Sequence, residues 1–545
     1  MRAFWLTLSI QVALCYCQYI YGPDPAWNIR STNDLKSKEF WFHDAQRTLY
    51  EKISTLPNQY LAKNIIFFLG DGMSVPTVTA ARIYDGQSKG IVGERNRLEF
   101  EQFNYVGLSK TYCVDKQVSD SAATASAYLS GIKANYMTIG VSADVKFNDC
   151  GAAKLPKNHL SSIAAWAMRG RKSAGLVTTT RVTHASPAGV YAHTSNRDFE
   201  SDFDVKDLGH DPNNCPDIAQ QLLNEVGQGL KVVLGGGTKK FLPNTEKDLY
   251  GNVGERLDGR NLINEWQQSK SGNARVVFNR TDLLSINPYN TDYLLGLFNA
   301  SHMSYNLDHS IDSPTLEEMT ETAIKILSGN PAGYFLFVEG GRIDHAHHET
   351  KAKKAMDETV QFSNAVKKAR QLTNPWETLI VVTADHGHTM TINGYPDINN
   401  VITGLNSELS DVDKLPYATL SYANGPQMNL FYKSENSTVK RVDLRTLNIG
   451  DKDARYPHAV PYSEETHGGG DVAVYANGNN KNNNNYDKQN YTFNYVLYNS
   501  VLGPWSHLFS GVYEQNAIPH LMGFASCIGP GITYCDLRPK KAYNP

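Results

Sequence analysis

Four stretches of this chain are apolar along nearly their whole length, and each hands over to residues that carry charge or bind metals. Asn64-Ile-Ile-Phe-Phe-Leu69 runs into Gly70-Asp71-Gly72, and Ala174-Gly-Leu-Val-Thr178 runs on to Thr183-His-Ala-Ser186. Tyr334-Phe-Leu-Phe-Val338 reaches Glu339, and Thr378-Leu-Ile-Val-Val-Thr383 reaches Ala384-Asp-His-Gly-His388. A strand with one wet face alternates apolar and polar side chains, whereas a continuous apolar run has both faces covered. Such runs belong to a parallel sheet between two helical layers, and in open sheets of this kind sites form beyond the carboxyl ends of the strands. The pattern predicts an α/β fold: a large central, mostly parallel sheet with helices on both faces. It also predicts that polar residues far apart in sequence gather at one edge.

The 545 residues are enough for one large domain with insertions. Residues 1–17 place a basic Arg2 before an apolar run ending at Cys17, which reads as a secretory signal peptide. The run is shorter than the roughly 20 residues a membrane span needs. Residues 18–62 read as a polar, partly helical N-terminal arm, and 63–394 with 466–536 as the α/β body. Between them, 395–465 breaks into Gly-, Pro- and Asn-rich pieces and reads as a loop-rich inserted subdomain, while 478–503 reads as an Asn-rich surface insertion. A formal net charge of −3 and the lack of any Lys/Arg run argue against a nucleic-acid partner. The C-terminal residues carry no hydrophobic tail, so neither a membrane span nor a lipid-anchor signal is expected, and the chain reads as secreted. Without the signal, five of the seven cysteines remain. Cys150 with Cys215 and Cys527 with Cys535 are the natural disulfide pairs and Cys113 a buried free thiol, although spacing alone does not fix that pairing. Sequons at Asn279, Asn299, Asn436 and Asn490 fit a secreted glycoprotein.

The stretch Glu339-Gly-Gly-Arg-Ile-Asp-His-Ala-His-His348 opens into a polar, Lys-rich segment that reads as a helix. Asp344 and His348, four apart, would share one helical face, and carboxylate plus imidazole is a metal-ligand set. A capped helix N-terminus would account for Asp344 alone, but not for the carboxylate before it and the histidines behind it. The candidate inventory is Asp71, His184, Ser186, Glu339, Asp344, His348, Asp385, His386, His388 and His467. Imidazoles suit zinc and hard oxygens suit magnesium, so the mixture points to more than one metal, and paired zinc ions suit in-line displacement at phosphorus. Ser121, after Asp120 and before an Ala-rich helix, is an ordinary capping neighbour that a metal would also make nucleophilic. Arg197 has the planar fork that grips phosphate, though a lone loop arginine is more often a solvated charge.

Leu69-Gly-Asp-Gly-Met73, Asp120-Ser-Ala-Ala-Thr124, Thr183-His-Ala-Ser-Pro187, Glu339 to His348, Ala384-Asp-His-Gly-His388 and Thr466-His467 occur in that order. With them the chain resembles the alkaline phosphatases of the animal type over about residues 25–536. The resemblance implies hydrolysis of phosphate monoesters through a phosphoserine at Ser121, with a broad substrate range and an alkaline optimum. It implies two zinc ions, one held by Asp344, His348 and His467, the other by Asp71, Asp385, His386 and Ser121. A magnesium ion would use Asp71, Ser186 and Glu339. Arg197 would hold the substrate phosphate, with His184, His345 and His388 supporting the shell. It further implies a homodimer contacted by the N-terminal arm, and a crown-like role for the 395–465 insertion.

Overall fold

The ten strands of the main sheet are β1 (Asn64–Gly70), β2 (Tyr105–Lys110), β3 (Ser173–Arg181), β4 (Val232–Gly236), β5 (Ala274–Val277), β6 (Tyr293–Leu297), β7 (Tyr334–Gly340), β8 (Thr378–Ala384), β9 (Val472–Asn477) and β10 (Gly511–Glu514). They come from a computed structural model that describes residues 32, 34–53, 57–435, 437–477 and 503–537. The signal segment, Asn436, Asn490 and the Asn-rich insertion as far as residue 502 lie outside the described residues. Across the sheet the order is β10-β2-β9-β8-β1-β7-β3-β4-β6-β5. Among the described residues β9 alone runs against its neighbours β2 and β8.

The four apolar runs of the sequence are the four consecutive strands β8-β1-β7-β3, at the heart of this sheet. Phe67 lies level with Phe337 on one side and Val381 on the other. Because strand side chains alternate, Ile66, Phe68, Leu336, Val338, Ile380 and Val382 pack into one core, and Ile65, Phe67, Phe335, Phe337, Leu379 and Val381 into another. All twelve are 0% exposed, and each such burial contributes about 1.5–3 kcal/mol. Helix α1 (Ser121–Ser130) covers the second core, with the Tyr128 ring 5.6 Å from that of Phe67. Helix α3 (Ala352–Leu372) covers the first, with Phe362 edge-on to Phe68 at 5.8 Å.

One expectation is corrected here. The segment after Glu339 forms two helices rather than one: a seven-residue α2 (Arg342–His348) and then the Lys-rich α3. Thr350 between them takes φ 55°, and its amide donates to His347 O at 2.7 Å. A left-handed residue ends a helical ladder, so α3 starts afresh in a new direction. Asp344 and His348 therefore sit on a short independent turn at the sheet edge.

The loop-rich subdomain is built from small sheets: Thr391–Ile392 with Leu420–Gly425 and His458–Pro461, Leu405–Leu409 with Pro416–Ala418, and Tyr432–Glu435 with Thr438–Arg441. It returns to the body through Glu465–His467, where β9 begins shortly afterwards at the site edge. Being antiparallel, β9 ends at the opposite edge, with Ala476 level with Tyr105 at the start of β2. Cys150 pairs with Cys215 and Cys527 with Cys535, at Cα separations of 5.3 and 5.6 Å, and Cys113 is a buried free thiol.

Candidate active site

Strand register assembles the first carboxylates. Glu339 lies level with Leu69 on β1 and Thr178 on β3, and Gly70 lies level with Ala384 on β8. Asp71 and Asp385 are the next residues of neighbouring strands and so emerge side by side. The Glu339 carboxylate accepts from the hydroxyls of Thr178 and Thr180, which fix its direction. Gly72 turns the chain with φ 67°, and its amide donates to Asp385 Oδ1 at 3.0 Å. A Cβ at this position would stand 2.5 Å from the His388 ring. Gly72→Ala is expected to cost about 2–4 kcal/mol, from left-handed strain plus overpacking. Chemical denaturation checks this, and the same variant should lose most of its activity because His388 must move.

The histidines are held in defined tautomers. His348 Nδ1 donates to Glu465 O at 2.5 Å, His467 Nδ1 to Ser119 O at 2.9 Å and His386 Nδ1 to Gly387 O at 3.2 Å. A carbonyl only accepts, so each Nδ1 carries a proton, and a ring that holds no second proton turns an Nε2 lone pair inward. Those lone pairs face other acceptors. His348 Nε2 is 3.2 Å from His467 Nε2, and the two lie 3.4 and 3.5 Å from Asp344 Oδ1. His386 Nε2 lies 3.1 Å from Asp385 Oδ2 and 3.6 Å from Asp71 Oδ1. Lone pairs so aimed repel one another unless a cation lies between them. His388 differs: its Nε2 faces Asp344 Oδ1 at 2.7 Å and its Nδ1 faces Glu465 Oε2 at 2.5 Å. Burial opposes a charge there, but Glu465 and Asp344 prevail and push its pKa up to about 10. With both nitrogens donating, His388 has no lone pair for a metal.

Ser121 is the first residue of α1, where the helix dipole presents its positive end. Its Oγ lies 3.1 Å from His386 Nε2 and 3.4 Å from Asp71 Oδ1. The capping Asp120 accepts from the amides of Ala122 and Ala123, and also binds Arg197 Nη1 at 3.2 Å. Arg197 Nη2 donates to His184 Nε2 at 3.2 Å. These two contacts leave hydrogens free on both terminal nitrogens of the fork.

The donor set fits metal ions. Asp71 Oδ2, Ser186 Oγ and Glu339 Oε1 are buried without a hydrogen-bond partner, a costly arrangement that a hard cation would resolve. The ligand atoms of Asp71, His184 and Glu339 fall within 4.8 Å of one another, as do those of Asp71, Asp344 and His386. Burial, then the charges of Asp385, Asp344 and Glu339, hold Asp71 well above the usual carboxylate range. Burial likewise pushes Glu339 up to about 7. A cation placed among carboxylates raised by desolvation and by each other would relieve both costs.

Asp71, Ser121, Glu339, Asp344, His348, Asp385, His386 and His467 thus gather at this one edge, and Ser186 lies two residues past His184 with its Oγ buried. His184 and His345 stand beside them with rings 5.3 Å apart. Sequence reasoning missed His302, whose ring lies between 4.2 and 5.1 Å from those two. It also missed Thr178, Thr180 and Glu465, whose types signal nothing unless their partners are known. Asn279 and Asn299 are partly exposed.

A family model described as alkaline phosphatase matches residues 62–528. The chain is 45% identical over 507 residues to the membrane-bound alkaline phosphatase of Bombyx mori, covering 91% of this chain and 86% of that one. It is 42% identical over 509 residues to the human tissue-nonspecific isozyme, covering 92% and 90%. Among solved structures, the Thermus thermophilus alkaline phosphatase aligns with a TM-score of 0.57 at 21% identity, over 86% of this chain and 92% of that one. The enzyme of the Antarctic bacterium TAB5 aligns with 0.54 at 18% identity, over 87% and 100%. These two structures bear on the fold, while the family model and the sequence relatives carry the assignment: this chain belongs to the alkaline phosphatase family, the metal-dependent enzymes that hydrolyse phosphate monoesters.

Proposed function

We propose that the chain hydrolyses phosphate monoesters of many alcohols through a phosphoserine at Ser121, at a site for two zinc ions and one magnesium ion, with an alkaline optimum. The observation that carries this reading is the convergence of the His348, His386 and His467 lone pairs on Asp71, Asp344 and Asp385, beside the Ser121 hydroxyl. Asp344, His348 and His467 would hold one zinc, Asp71, Asp385, His386 and Ser121 the other, and Asp71, Ser186 and Glu339 the magnesium. When bound, these ions would supply positive charge to the phosphate oxygens and lower the pKa of the serine hydroxyl. Arg197 receives the remaining phosphate oxygens on its free N–H groups, its orientation set by Asp120 and His184. Ser121 Oγ attacks phosphorus in line and the alcohol leaves. Water then attacks the phosphoserine from the opposite side and releases inorganic phosphate. His388 and Glu465 steady Asp344 without touching the substrate.

The body at 63–394 and 466–536 carries this chemistry, and the 395–465 insertion is its crown-like cover. We read the enzyme as a secreted homodimer. Two disulfides fit an oxidising compartment, and the helix Lys38–Ile53 in the N-terminal arm exposes Trp41, Phe42 and Leu49. Among the described residues no helix is long and apolar enough to cross a membrane.

The test is hydrolysis of p-nitrophenyl phosphate by purified protein at mildly alkaline pH, before and after chelation. Chelation is expected to lower kcat by about 10³-fold or more, and zinc with magnesium to restore it. Turnover that persists in demonstrably metal-free protein sinks the reading.

A further inference from the structure

The subdomain and the body meet at Glu465, a fully buried residue that contacts Thr389, His388 and His348. Its Oε2 faces His388 Nδ1 at 2.5 Å, and His388 Nε2 faces Asp344 Oδ1 at 2.7 Å. Its Oε1 accepts from the amide of Thr389 at 2.7 Å and from the Thr389 hydroxyl at 2.5 Å. Its main chain grips the next ligand candidate in both directions: the carbonyl accepts from His348 Nδ1, and the amide donates to His348 O at 2.9 Å. One residue therefore sets the direction of Asp344 through a histidine, and the tautomer and position of His348 directly. The loop that carries it is tied to the subdomain strand Leu420–Gly425. Asn424 donates to Thr466 Oγ1 at 2.8 Å and accepts from the Thr466 amide at 2.9 Å, and the Ala423 amide donates to Thr389 Oγ1 at 3.2 Å.

We propose that Glu465 is a positioning residue for zinc retention: its carboxylate, through His388, holds Asp344 in ligating geometry at the position shared with His348 and His467. The inference rests on the zinc reading above. A carboxylate that receives three hydrogen bonds and is wholly buried has one geometry open to it, so the chain Glu465–His388–Asp344 is rigid. Packing alone does not require a charged side chain here, because a buried carboxylate is tolerated only where its donors compensate it.

The experiment measures the equilibrium zinc affinity of metal-free full-length protein by competition with a chromophoric chelator, together with the unfolding midpoint of the metal-free form. Glu465→Gln turns an amide N–H towards a donor that the carboxylate had accepted from. It is expected to weaken one of the two zinc positions by about 10–100-fold while the metal-free midpoint changes little. Glu465→Asp keeps the charge and should fall between wild type and Glu465→Gln, and it serves as the test if the glutamine variant does not fold. Asn424→Ala loosens the loop without touching the carboxylate and should stay within about threefold of wild type. Wild-type zinc affinity in both Glu465 variants overturns the inference, and so does an equal loss in Asn424→Ala, which would assign the effect to the loop. Failure of the wild-type protein to bind zinc overturns the zinc reading itself, a result distinct from either.

Discussion

Ser121→Ala is expected to lower kcat for p-nitrophenyl phosphate by about 10⁴-fold, about 5.4 kcal/mol of barrier. The effect is large because, among the described residues, no other hydroxyl stands where Ser121 does, between His386 and Asp71 at the head of α1. Thr124, one turn on, donates back to the Ser121 carbonyl at 3.1 Å and the Asp120 carbonyl at 3.2 Å, so it does not replace the nucleophile. Alanine is a good helix former and the Asp120 cap is untouched, so the fold should be unchanged. Two further readouts separate chemistry from damage. Acid quenching with labelled substrate should trap phosphate on wild-type protein and none on the variant, and the metal content of the two should be nearly equal. A variant that keeps about a tenth of wild-type turnover would remove Ser121 from the mechanism.

Asp71→Asn is the second large effect, with opposite signs in the two metal states. Asp71 offers one oxygen towards Ser121 and His386, while the other is buried without a partner. Its ligand atom groups with His184 and Glu339, and also with Asp344 and His386. On the metal reading proposed above, one carboxylate would therefore serve two cation positions, whereas asparagine supplies one oxygen and turns an N–H donor towards the other. Metal-supplemented variant protein is expected to lose at least one ion per chain and about 10³-fold in kcat/KM. The metal-free variant should unfold at a higher temperature than metal-free wild type at mildly alkaline pH. The sign follows from linkage. Burial and neighbouring carboxylates raise the folded pKa of Asp71, so its native form binds the proton better than the unfolded chain does. Its contribution is full below the unfolded pKa and is lost as pH rises through the folded one. Asparagine does not titrate and escapes that loss. Scanning calorimetry with elemental analysis checks both halves, and a metal-free midpoint no higher than wild type would show that the carboxylates do not strain one another.

Much of this was legible in the chain. Unbroken apolar runs such as Tyr334–Val338 exclude a half-solvated strand, because such a strand would expose Phe335 or Leu336 to water. Strand identity then assigned Glu339, Asp71 and Asp385 to strand ends, where local sequence suffices. The helix after Glu339 was misread as continuous because nothing in Glu349-Thr-Lys351 marks a left-handed residue, and threonine rarely adopts one. The turn is held by contacts from elsewhere: Tyr456 donates its amide to Thr350 O at 2.9 Å.

The sequence by itself determined the sheet, the inventory of candidate ligands and the family, since these depend on residue type, local period and ordered motifs. Only the tertiary structure decided which atoms those side chains present. Whether a histidine offers a lone pair or a proton depends on what its other nitrogen touches. For His348 that is a carbonyl 117 residues away, and for His388 a carboxylate 77 residues away. Partners so distant in sequence leave no local trace, because the pairing is set by strand register and by the path of the inserted subdomain between them.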